Sequence, residues 1–324
     1  MSETTPKTGA VALPARSIPL PPASEAARAA LQTPRPPRRE YPALTDKDGW
    51  RRLIAASDAL SWSMAEPLLP KFKVDRAVRR VGGRDVHVIA PQAERLIDRD
   101  QVILNLHGGA LVFGGGKMVP FEAAAMALRT GRVVHSLDYR VPPDHPYPAA
   151  LDDALALYRD MLAAFDPKRI VVSGTSAGGN LAGALILRAR DEGLPLPAGA
   201  ILLTPEVDLT ESGDTFETLM GLDTVLAARL TEVNALYAGG ADLSHPYLSP
   251  LFGDFTKGFC PTFLHAGTRD LFLSNAVRMH RRLRSAGVRA ELHVWDGMPH
   301  GGFGGLTPED RELAAEMRAF LGTL

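Results

Sequence analysis

Short apolar runs alternate with longer amphipathic stretches along most of this chain. The runs have the length and composition of strands, and they lie at residues 77–81, 86–90, 102–106, 132–137, 169–173, 199–204, 261–266 and 289–295. Apolar residues with helical spacing separate or follow them, at about residues 118–130, 148–164, 177–191, 275–287 and 308–322. The alternation predicts an α/β fold with a mostly parallel eight-stranded sheet covered by helices on both faces. Gly82-Gly83-Arg84 between the first two runs predicts a hairpin that opens the sheet.

Two further regions are apolar at helical spacing but lie outside this alternation. In residues 49–69, Trp50 and Trp62 are among the apolar positions that predict short amphipathic helices ending near Pro67. Residues 207–245 separate two predicted strands and are too long and too apolar for a simple loop. We interpret the two regions as parts of a helical cap over the strand ends, where open α/β sheets bind ligands. Ordinary peripheral helices are the alternative.

The N-terminal residues differ in composition from the rest of the chain. Residues 1–42 are rich in Pro, Ala, Ser and Thr, and the prolines interrupt regular hydrogen bonding. We therefore predict an extended or partly disordered arm at 1–42, cap helices at 43–75, and an α/β domain at 76–324 into which the cap segment 207–245 is inserted. An alternative for the arm is that it folds across the strand ends as part of a lid.

The composition excludes several classes of partner and site. With 36 basic and 37 acidic residues the formal net charge is −1, which gives no electrostatic basis for binding nucleic acid or an anionic membrane surface. Cys260 is the single cysteine, so neither an internal disulfide nor a cysteine-based zinc motif can form. We expect Cys260 to be a buried apolar residue.

Membrane insertion and secretion are not indicated either. The chain has no run of about 18 apolar residues that could span a bilayer. Its N-terminus also lacks the basic and then apolar organisation of a secretory signal. The sequence therefore predicts a cytoplasmic protein without a membrane partner.

A glycine-rich hexapeptide between a predicted strand and a predicted helix is the first candidate for chemistry. Residues Gly174-Thr175-Ser176-Ala177-Gly178-Gly179 follow the strand at 169–173 and open the helix at 177–191. A serine at such a turn projects its hydroxyl above the sheet, and the flanking glycines avoid collisions with neighbouring backbone. A Gly-x-Ser-x-Gly pattern arises by chance in roughly one chain in ten of this length. A glycine-rich turn with an incidental serine is therefore the alternative that further features must exclude.

Three other features lie where nucleophilic chemistry at Ser176 requires them. His107-Gly108-Gly109-Ala110 follows a predicted strand, Asp270 lies just beyond another, and His300 lies in a glycine-rich loop before the last helix. The order along the chain is a loop with backbone donors, then Ser, then Asp, then His. That order is typical of α/β-hydrolases.

The motifs around these residues closely resemble those of the bacterial hormone-sensitive-lipase-like esterases, and the resemblance covers roughly residues 75–324. The matching segments are His107-Gly108-Gly109-Ala110, Asp138-Tyr139-Arg140, Tyr147 to Asp153, Gly174 to Gly179 and Gly297-Met298-Pro299-His300. Thr175 stands where Asp is frequent in that family and Ala110 where a third Gly is frequent, which is similar to a branch with Thr before the serine. The resemblance implies an α/β-hydrolase fold with a helical cap, and soluble esters with short to medium acyl chains as substrates.

Position along the chain selects a base and an acid for Ser176. A neutral imidazole can take the serine proton because its pKa lies near neutral pH, and we choose His300 among the nine histidines. His265, at a strand end close to the acid, is the rival. Asp270 is the candidate that holds the imidazole in the correct tautomer. Asp296 is nearer to His300 in sequence but follows the next strand, and capping of the following helix is the structural alternative for Asp270.

Backbone N–H groups are the candidates for stabilising the oxyanion of a tetrahedral intermediate. Ala177 offers one at a helix N-terminus, and the loop residues Gly108, Gly109 and Ala110 offer the others. The resemblance implies that His107 supports this loop and transfers no proton. This chemistry requires no metal ion and no cofactor.

The sequence therefore predicts a serine carboxylic ester hydrolase that acts on a small-molecule ester through an acyl-Ser176 intermediate. A lactone or amide hydrolase with the same residues is an alternative, because those reactions pass through a similar oxyanion. A non-catalytic small-molecule receptor and a module that binds a partner through its proline-rich arm are alternatives from other classes. We also expect a homodimer in which the last strand, Ala290 to Trp295, pairs with its copy at the sheet edge.

Overall fold

The computed structural model of the protein describes residues 17–34, 39–305 and 307–324. The strands are β1 Val74–Val81, β2 Arg84–Pro91, β3 Val102–Leu106, β4 Val133–Leu137, β5 Ile170–Thr175, β6 Gly199–Leu203, β7 Thr262–Gly267 and β8 Ala290–Trp295. The helices are α1 Glu25–Leu31, α2 Lys47–Ala65, α3 Met118–Thr130, α4 Ala149–Ala164, α5 Ala177–Asp191, α6 Thr215–Thr218, α7 Thr231–Ala238, α8 Leu273–Ser285 and α9 Pro308–Leu321. Within these ranges, none of the helices combines the length and the apolar character that a bilayer crossing needs.

All eight predicted strands form one sheet. The spatial order is β1-β2-β4-β3-β5-β6-β7-β8. Strands β3 to β8 run parallel to one another, whereas β2 pairs antiparallel with both β1 and β4. The prediction of a mostly parallel eight-stranded sheet opened by a hairpin is therefore confirmed.

Both faces of the sheet are covered because successive side chains of a strand point to opposite faces. On one face, Leu104 and Val172 belong to a buried cluster that includes residues of α4, α5 and α8. On the other, their neighbours Ile103 and Val171 pack with α3 and α9. Cys260 is 2% exposed, as expected of an apolar core residue.

The region predicted to form short helices before Pro67 is one continuous helix instead. Helix α2 runs for 19 residues, and Asp46 caps its start by accepting a hydrogen bond from the N–H of Gly49 at 2.8 Å. No proline lies between residues 47 and 65 to interrupt it. A 3-10 turn, Leu69–Lys71, then leads into β1.

Helix α2 and the segment 207–245 share one apolar cluster. Trp50 of α2 is fully buried with Phe216, Val233 and Leu236, and Phe272 at the start of α8 joins them. The shared cluster supports the interpretation of these two regions as parts of one cap over the carboxyl ends of the strands.

The N-terminal arm contains a helix that we did not predict. Residues 1–16 and 35–38 of the predicted arm lie outside the described residues, but residues 17–34 include α1, which begins after the N-cap Ser24. The N–H and the Oγ of Ser24 each donate to the Glu309 carboxylate of α9 at 2.8 Å. Leu31 of α1 packs in a small cluster with Met298 and Phe303. Residues 25–31 of the arm are therefore helical and docked on the last helix, and not extended.

Candidate active site

The nucleophile candidate lies on a sharp turn between β5 and α5. Ser176 has φ 58° and ψ −122°, a backbone conformation that few residues with a side chain adopt. A Cβ on Gly178 would lie 2.0 Å from the carbonyl oxygen of Leu106, and one on Gly174 would lie 2.1 Å from that of Gly178. The glycines of the motif are therefore required by direct contact between main chains, as the sequence predicts.

The structure brings together the three residues proposed for the triad. His300 Nε2 lies 2.9 Å from Ser176 Oγ, and His300 Nδ1 lies 3.0 Å from Asp270 Oδ1. Ser176 is 8% exposed, His300 is 6% exposed and Asp270 is fully buried. The chain of hydrogen bonds is thus almost fully shielded from water, where each bond is stronger than it would be at the surface.

Close packing between two loops places the acid beside the base. Asp270 follows β7, and His300 lies between β8 and α9. A Cβ on Gly267 at the end of β7 would lie 1.9 Å from the carbonyl oxygen of Met298, and the N–H of Arg269 donates to that oxygen at 3.1 Å. The two loops therefore touch through their main chains just before the two side chains meet.

The rival residues lie elsewhere. The Nε2 of His265 is 3.1 Å from the Met298 sulfur, and burial lowers the pKa of His265 to about 3. Asp296 is exposed, and it accepts a hydrogen bond from the Thr268 hydroxyl at 3.1 Å. Neither residue contacts the Ser176 hydroxyl. Asp270 also accepts the N–H of Phe272 at 2.9 Å, but Phe272 is itself the N-cap residue of α8 and that helix has no side-chain capping bond, so the helix-capping alternative for Asp270 is wrong.

The proposed oxyanion loop needs one correction. The N–H of Gly108 donates to Glu122 Oε2 at 2.9 Å, so it is already engaged and supports the loop instead of facing a substrate. Among the described residues, the N–H groups of Gly109, Ala110 and Ala177 have no protein acceptor. These three remain the candidate oxyanion donors.

Carboxylates hold the rest of this loop. Asp58 of α2 accepts the N–H of Gly114 at 2.9 Å, and Asp138 accepts that of Gly116 at 3.0 Å. Burial raises the pKa of Asp58, while its bond from Gly114 opposes that change. The glycine-rich loop is therefore tied to the cap helix and to the end of β4.

His107 has a supporting position, in agreement with the interpretation made from the sequence. Its ring stacks on Tyr139 with centroids 3.9 Å apart and planes 3° apart. The Tyr139 hydroxyl donates to the carbonyl oxygen of His107 at 2.8 Å. The pair fixes the start of the loop.

Opposing influences act on the pKa of His300. Burial alone would lower it, but the charge of Asp270, its hydrogen bond and the more distant Asp223 outweigh burial and raise the pKa above its ordinary value. The site therefore favours the imidazolium that a base forms when it accepts a proton.

Asp223 belongs to this site and the sequence analysis missed it. Asp223, Asp270 and His300 each have a side-chain atom that could bind a metal ion, and these three atoms lie within 4.8 Å of one another. In the described part of the chain, this is the one cluster of three such residues. His300 Nδ1 is engaged with Asp270 and the Asp223 oxygens accept main-chain N–H groups, so we assign these atoms to hydrogen bonds and not to a metal site. No motif marks Asp223, because it lies in a cap segment identified only by its apolar residues.

Glu206 is a second buried acid that the sequence analysis did not assign. Its N–H donates to the carbonyl oxygen of Ser176 at 3.1 Å, and its side chain is 1% exposed. Burial and then the nearby Glu211 raise the pKa of Glu206 to about 8, with His300 and Asn234 acting in the opposite direction. At neutral pH Glu206 is therefore a protonated carboxyl group beside the nucleophile.

Comparison with known proteins places the chain among hydrolases. Residues 103–303 match the family model described as the alpha/beta hydrolase fold. An acetyl-hydrolase of Streptomyces hygroscopicus is 33% identical over 227 residues, which are 69% of this chain and 76% of the relative. An esterase of Acinetobacter venetianus is 30% identical over 229 residues, 69% of this chain and 75% of the relative.

Solved structures are similar over nearly the whole chain. The crystal structure of esterase E25 has a TM-score of 0.87 and 34% identity, and the alignment covers 96% of this chain and 98% of that one. An esterase from the bacterial hormone-sensitive lipase family has a TM-score of 0.73 and 31% identity, with 92% and 95% of the two chains covered.

Replacing Gly178 by Ala tests the contact between main chains at the turn. We expect Gly178→Ala to lower the free energy of unfolding by more than about 3 kcal/mol, because the new Cβ has only rigid backbone to displace. Urea denaturation measures the loss. Gly322→Ala is the control, since its Cβ would meet nothing closer than 3.5 Å; a small change in both variants would contradict the contact.

Replacing Glu206 by Gln tests the buried acid. In the unfolded chain its pKa returns to the ordinary value of 4.5, whereas in the native state it is about 8, so the native state binds more protons between these two pH values. The free energy of unfolding of the wild type should be highest below about pH 4.5 and should fall as the pH rises to about 8. The fall should be roughly 1.4 kcal/mol for each unit of difference between the two pKa values. Glu206→Gln should lack this fall in thermal denaturation from pH 5 to 9. The exposed Glu40→Gln is the control, and parallel stability curves for wild type and Glu206→Gln would exclude the raised pKa.

Proposed function

Since the chain belongs to the α/β-hydrolase family, among the esterases related to bacterial hormone-sensitive lipase, we propose that it hydrolyses carboxylic esters through a covalent acyl-Ser176 intermediate. The observation that carries the proposal is the buried chain of hydrogen bonds from Ser176 Oγ through His300 to Asp270. A hydroxyl becomes an effective nucleophile when a neighbouring base takes its proton during attack.

In the first half of the reaction, Ser176 Oγ attacks the carbonyl carbon of the ester while His300 Nε2 takes the hydroxyl proton. The tetrahedral intermediate then collapses, the bond to the alcohol oxygen breaks, and His300 returns the proton to the departing alcohol. In the second half, water gives a proton to His300 and its oxygen attacks the acyl carbon. Ser176 leaves with that proton, and the carboxylic acid is released.

Asp270 keeps His300 in the tautomer that this sequence of steps needs. Its carboxylate accepts the Nδ1 proton at 3.0 Å, which leaves the Nε2 lone pair facing the serine. When His300 becomes an imidazolium, the negative charge of Asp270 stabilises it within a site from which water is nearly excluded. Asp270 therefore acts as an orienting group.

The oxyanion is stabilised by the N–H groups of Gly109, Ala110 and Ala177. Ala177 lies at the N-terminus of α5, where the helix dipole favours negative charge. Ala110 and the following Leu111 have φ 53° and 61°, so the loop is held in a backbone conformation that turns its amides away from ordinary pairing. Removal of one such donor from a comparable site costs roughly 10²–10³ in kcat.

Small-molecule esters with short to medium acyl chains are the proposed substrates. The Phe272 ring lies 4.9 Å from the His300 ring and packs in one apolar cluster with Trp50 and Phe216, so apolar side chains approach the proposed base. The relatives named esterase and acetyl-hydrolase support the same choice.

Replacing the nucleophile tests the reaction. Ser176→Ala should lower kcat on p-nitrophenyl butyrate by roughly 10⁴-fold to 10⁶-fold, because the acyl-enzyme can no longer form. Initial rates from the acetate to the dodecanoate ester should decline with chain length in the wild type. Ser63→Ala, on the exposed face of α2, is the control and should keep wild-type rates. Equal rates for wild type and Ser176→Ala would reject Ser176, and a wild type that binds ligands without hydrolysing any ester would favour a receptor.

A homodimer through β8 is the second part of the proposal. β8 lies at one edge of the sheet and β1 at the other, so β8 has main-chain groups available for a copy of itself. Val294 on β8 is 43% exposed. An edge-to-edge pair would extend the sheet across a two-fold axis.

Charge on the edge strand tests that arrangement. Val294→Lys should convert a dimer to a monomer in light scattering at micromolar concentration, because lysine on an edge strand opposes pairing. Val78→Lys on β1, whose valine is 58% exposed, is the matched control and should stay dimeric. A monomeric wild type would refute the dimer without touching the reaction mechanism.

A further inference from the structure

Asp223 lies in the cap segment, yet its carboxylate is bonded to both loops of the triad. Its Oδ2 accepts the N–H of Leu271, the residue after Asp270, at 2.9 Å. Its Oδ1 accepts the N–H of His300 at 3.4 Å and that of Val225, in its own segment, at 2.8 Å. Asp223 is fully buried. One side chain of the cap thus joins the cap to the acid loop and to the base loop.

The acid depends on this support because only one of its oxygens is held. Asp270 Oδ1 accepts from His300 Nδ1 and from the N–H of Phe272. Asp270 Oδ2 has no hydrogen-bond partner within the described residues. The orientation of the carboxylate is therefore set by the backbone of the turn at 270–272, and Asp223 binds the middle of that turn.

We propose that Asp223 is a positioning residue for the triad, which couples closure of the cap segment to the alignment of Asp270 and His300. The proposal rests on the proposed function, because it takes Ser176, His300 and Asp270 as the reacting groups. The cap then does more than cover the substrate. If the segment around residue 223 leaves its place, both catalytic loops lose a hydrogen-bond acceptor at the same time.

The charge of Asp223 contributes to the same alignment. The titratable groups that face it are His300 and Asp270, and His300 is also faced by Glu206. Burial raises the pKa of Asp223, whereas the imidazole and the bonds from Leu271 and Val225 oppose that change. The negative charge of Asp223 raises the pKa of His300 and so favours the imidazolium over the neutral ring. Asp223 thus assists the proton transfer without contacting the substrate.

Asp223→Asn removes the charge while keeping the size of the side chain. We expect kcat on p-nitrophenyl butyrate to fall roughly 10-fold to 100-fold with little change in KM, because the reacting groups and not the substrate are displaced. The acid limb of the kcat/KM profile reports the pKa of His300 in the free enzyme. The midpoint of that limb should move to lower pH by roughly one unit, because the pKa of His300 falls when a negative charge within about 4–6 Å is removed.

Asp208→Asn is the matched control in the same segment. Asp208 is also fully buried, but its carboxylate binds Arg278 at 2.6 Å and the hydroxyls of Thr210 and Ser212. Its loss should lower stability and leave the acid limb where it is in the wild type. A folded Asp223→Asn enzyme with wild-type kcat and an unmoved acid limb would overturn the positioning role.

Hydrogen exchange of the wild type keeps the proposal testable if the variant does not fold. In increasing urea, peptides covering 219–226, 269–273 and 298–301 should lose protection together, in parallel with activity. Opening of 219–226 at lower urea, with the other two peptides and the activity unchanged, would refute the coupling. Activity retained in Ser176→Ala would instead reject the proposed mechanism, so the two failures are distinguishable.

Discussion

The site depends on the close approach of α5 to the carboxyl end of β3. Gly178 lies so near the carbonyl oxygens of Leu106 and His107 that no side chain fits between them. This contact holds two separate parts of the chain at a fixed distance: the turn that carries Ser176, and the loop that begins at Gly108. The proposed nucleophile and the proposed oxyanion donors are therefore placed by rigid backbone and not by flexible side chains, which is what preorganised stabilisation of a developing charge requires.

Carboxylates support the loops on both sides of that contact. Asp58, Glu122 and Asp138 hold the oxyanion loop by its N–H groups, whereas Asp270 and Asp223 hold the base. An acid that is partly or fully removed from water is tolerable when hydrogen bonds compensate for the loss, and all five accept main-chain N–H groups directly. Glu206, which lacks such bonds, stays protonated at neutral pH instead. The protein thus surrounds one imidazole with acids that differ in charge state.

The sequence predicted the sheet, the helices on its faces and the three proposed triad residues because their signals are local or follow chain order. Strands β3 to β7 are short apolar runs, and Ser176, Asp270 and His300 each follow a recognisable element. What it could not predict depends on distant partners. The N–H of Gly108 donates to Glu122, and the N–H of Leu271 donates to Asp223. The partners are separated along the chain, and no motif spacing in the sequence predicts these bonds. Helix α1 was missed for another reason: the prolines around it hid the local signal of Ser24 followed by Glu and several Ala.

The docking of α1 on α9 also connects the first described helix with the loop that carries His300. Ser24 binds Glu309, and the residues beside that contact pack against Met298 and Phe303, on either side of His300. The packing around His300 thus depends on a helix that contributes no reacting group, whereas the main-chain contacts of Gly174 and Gly178 at the turn of Ser176 do not involve that helix.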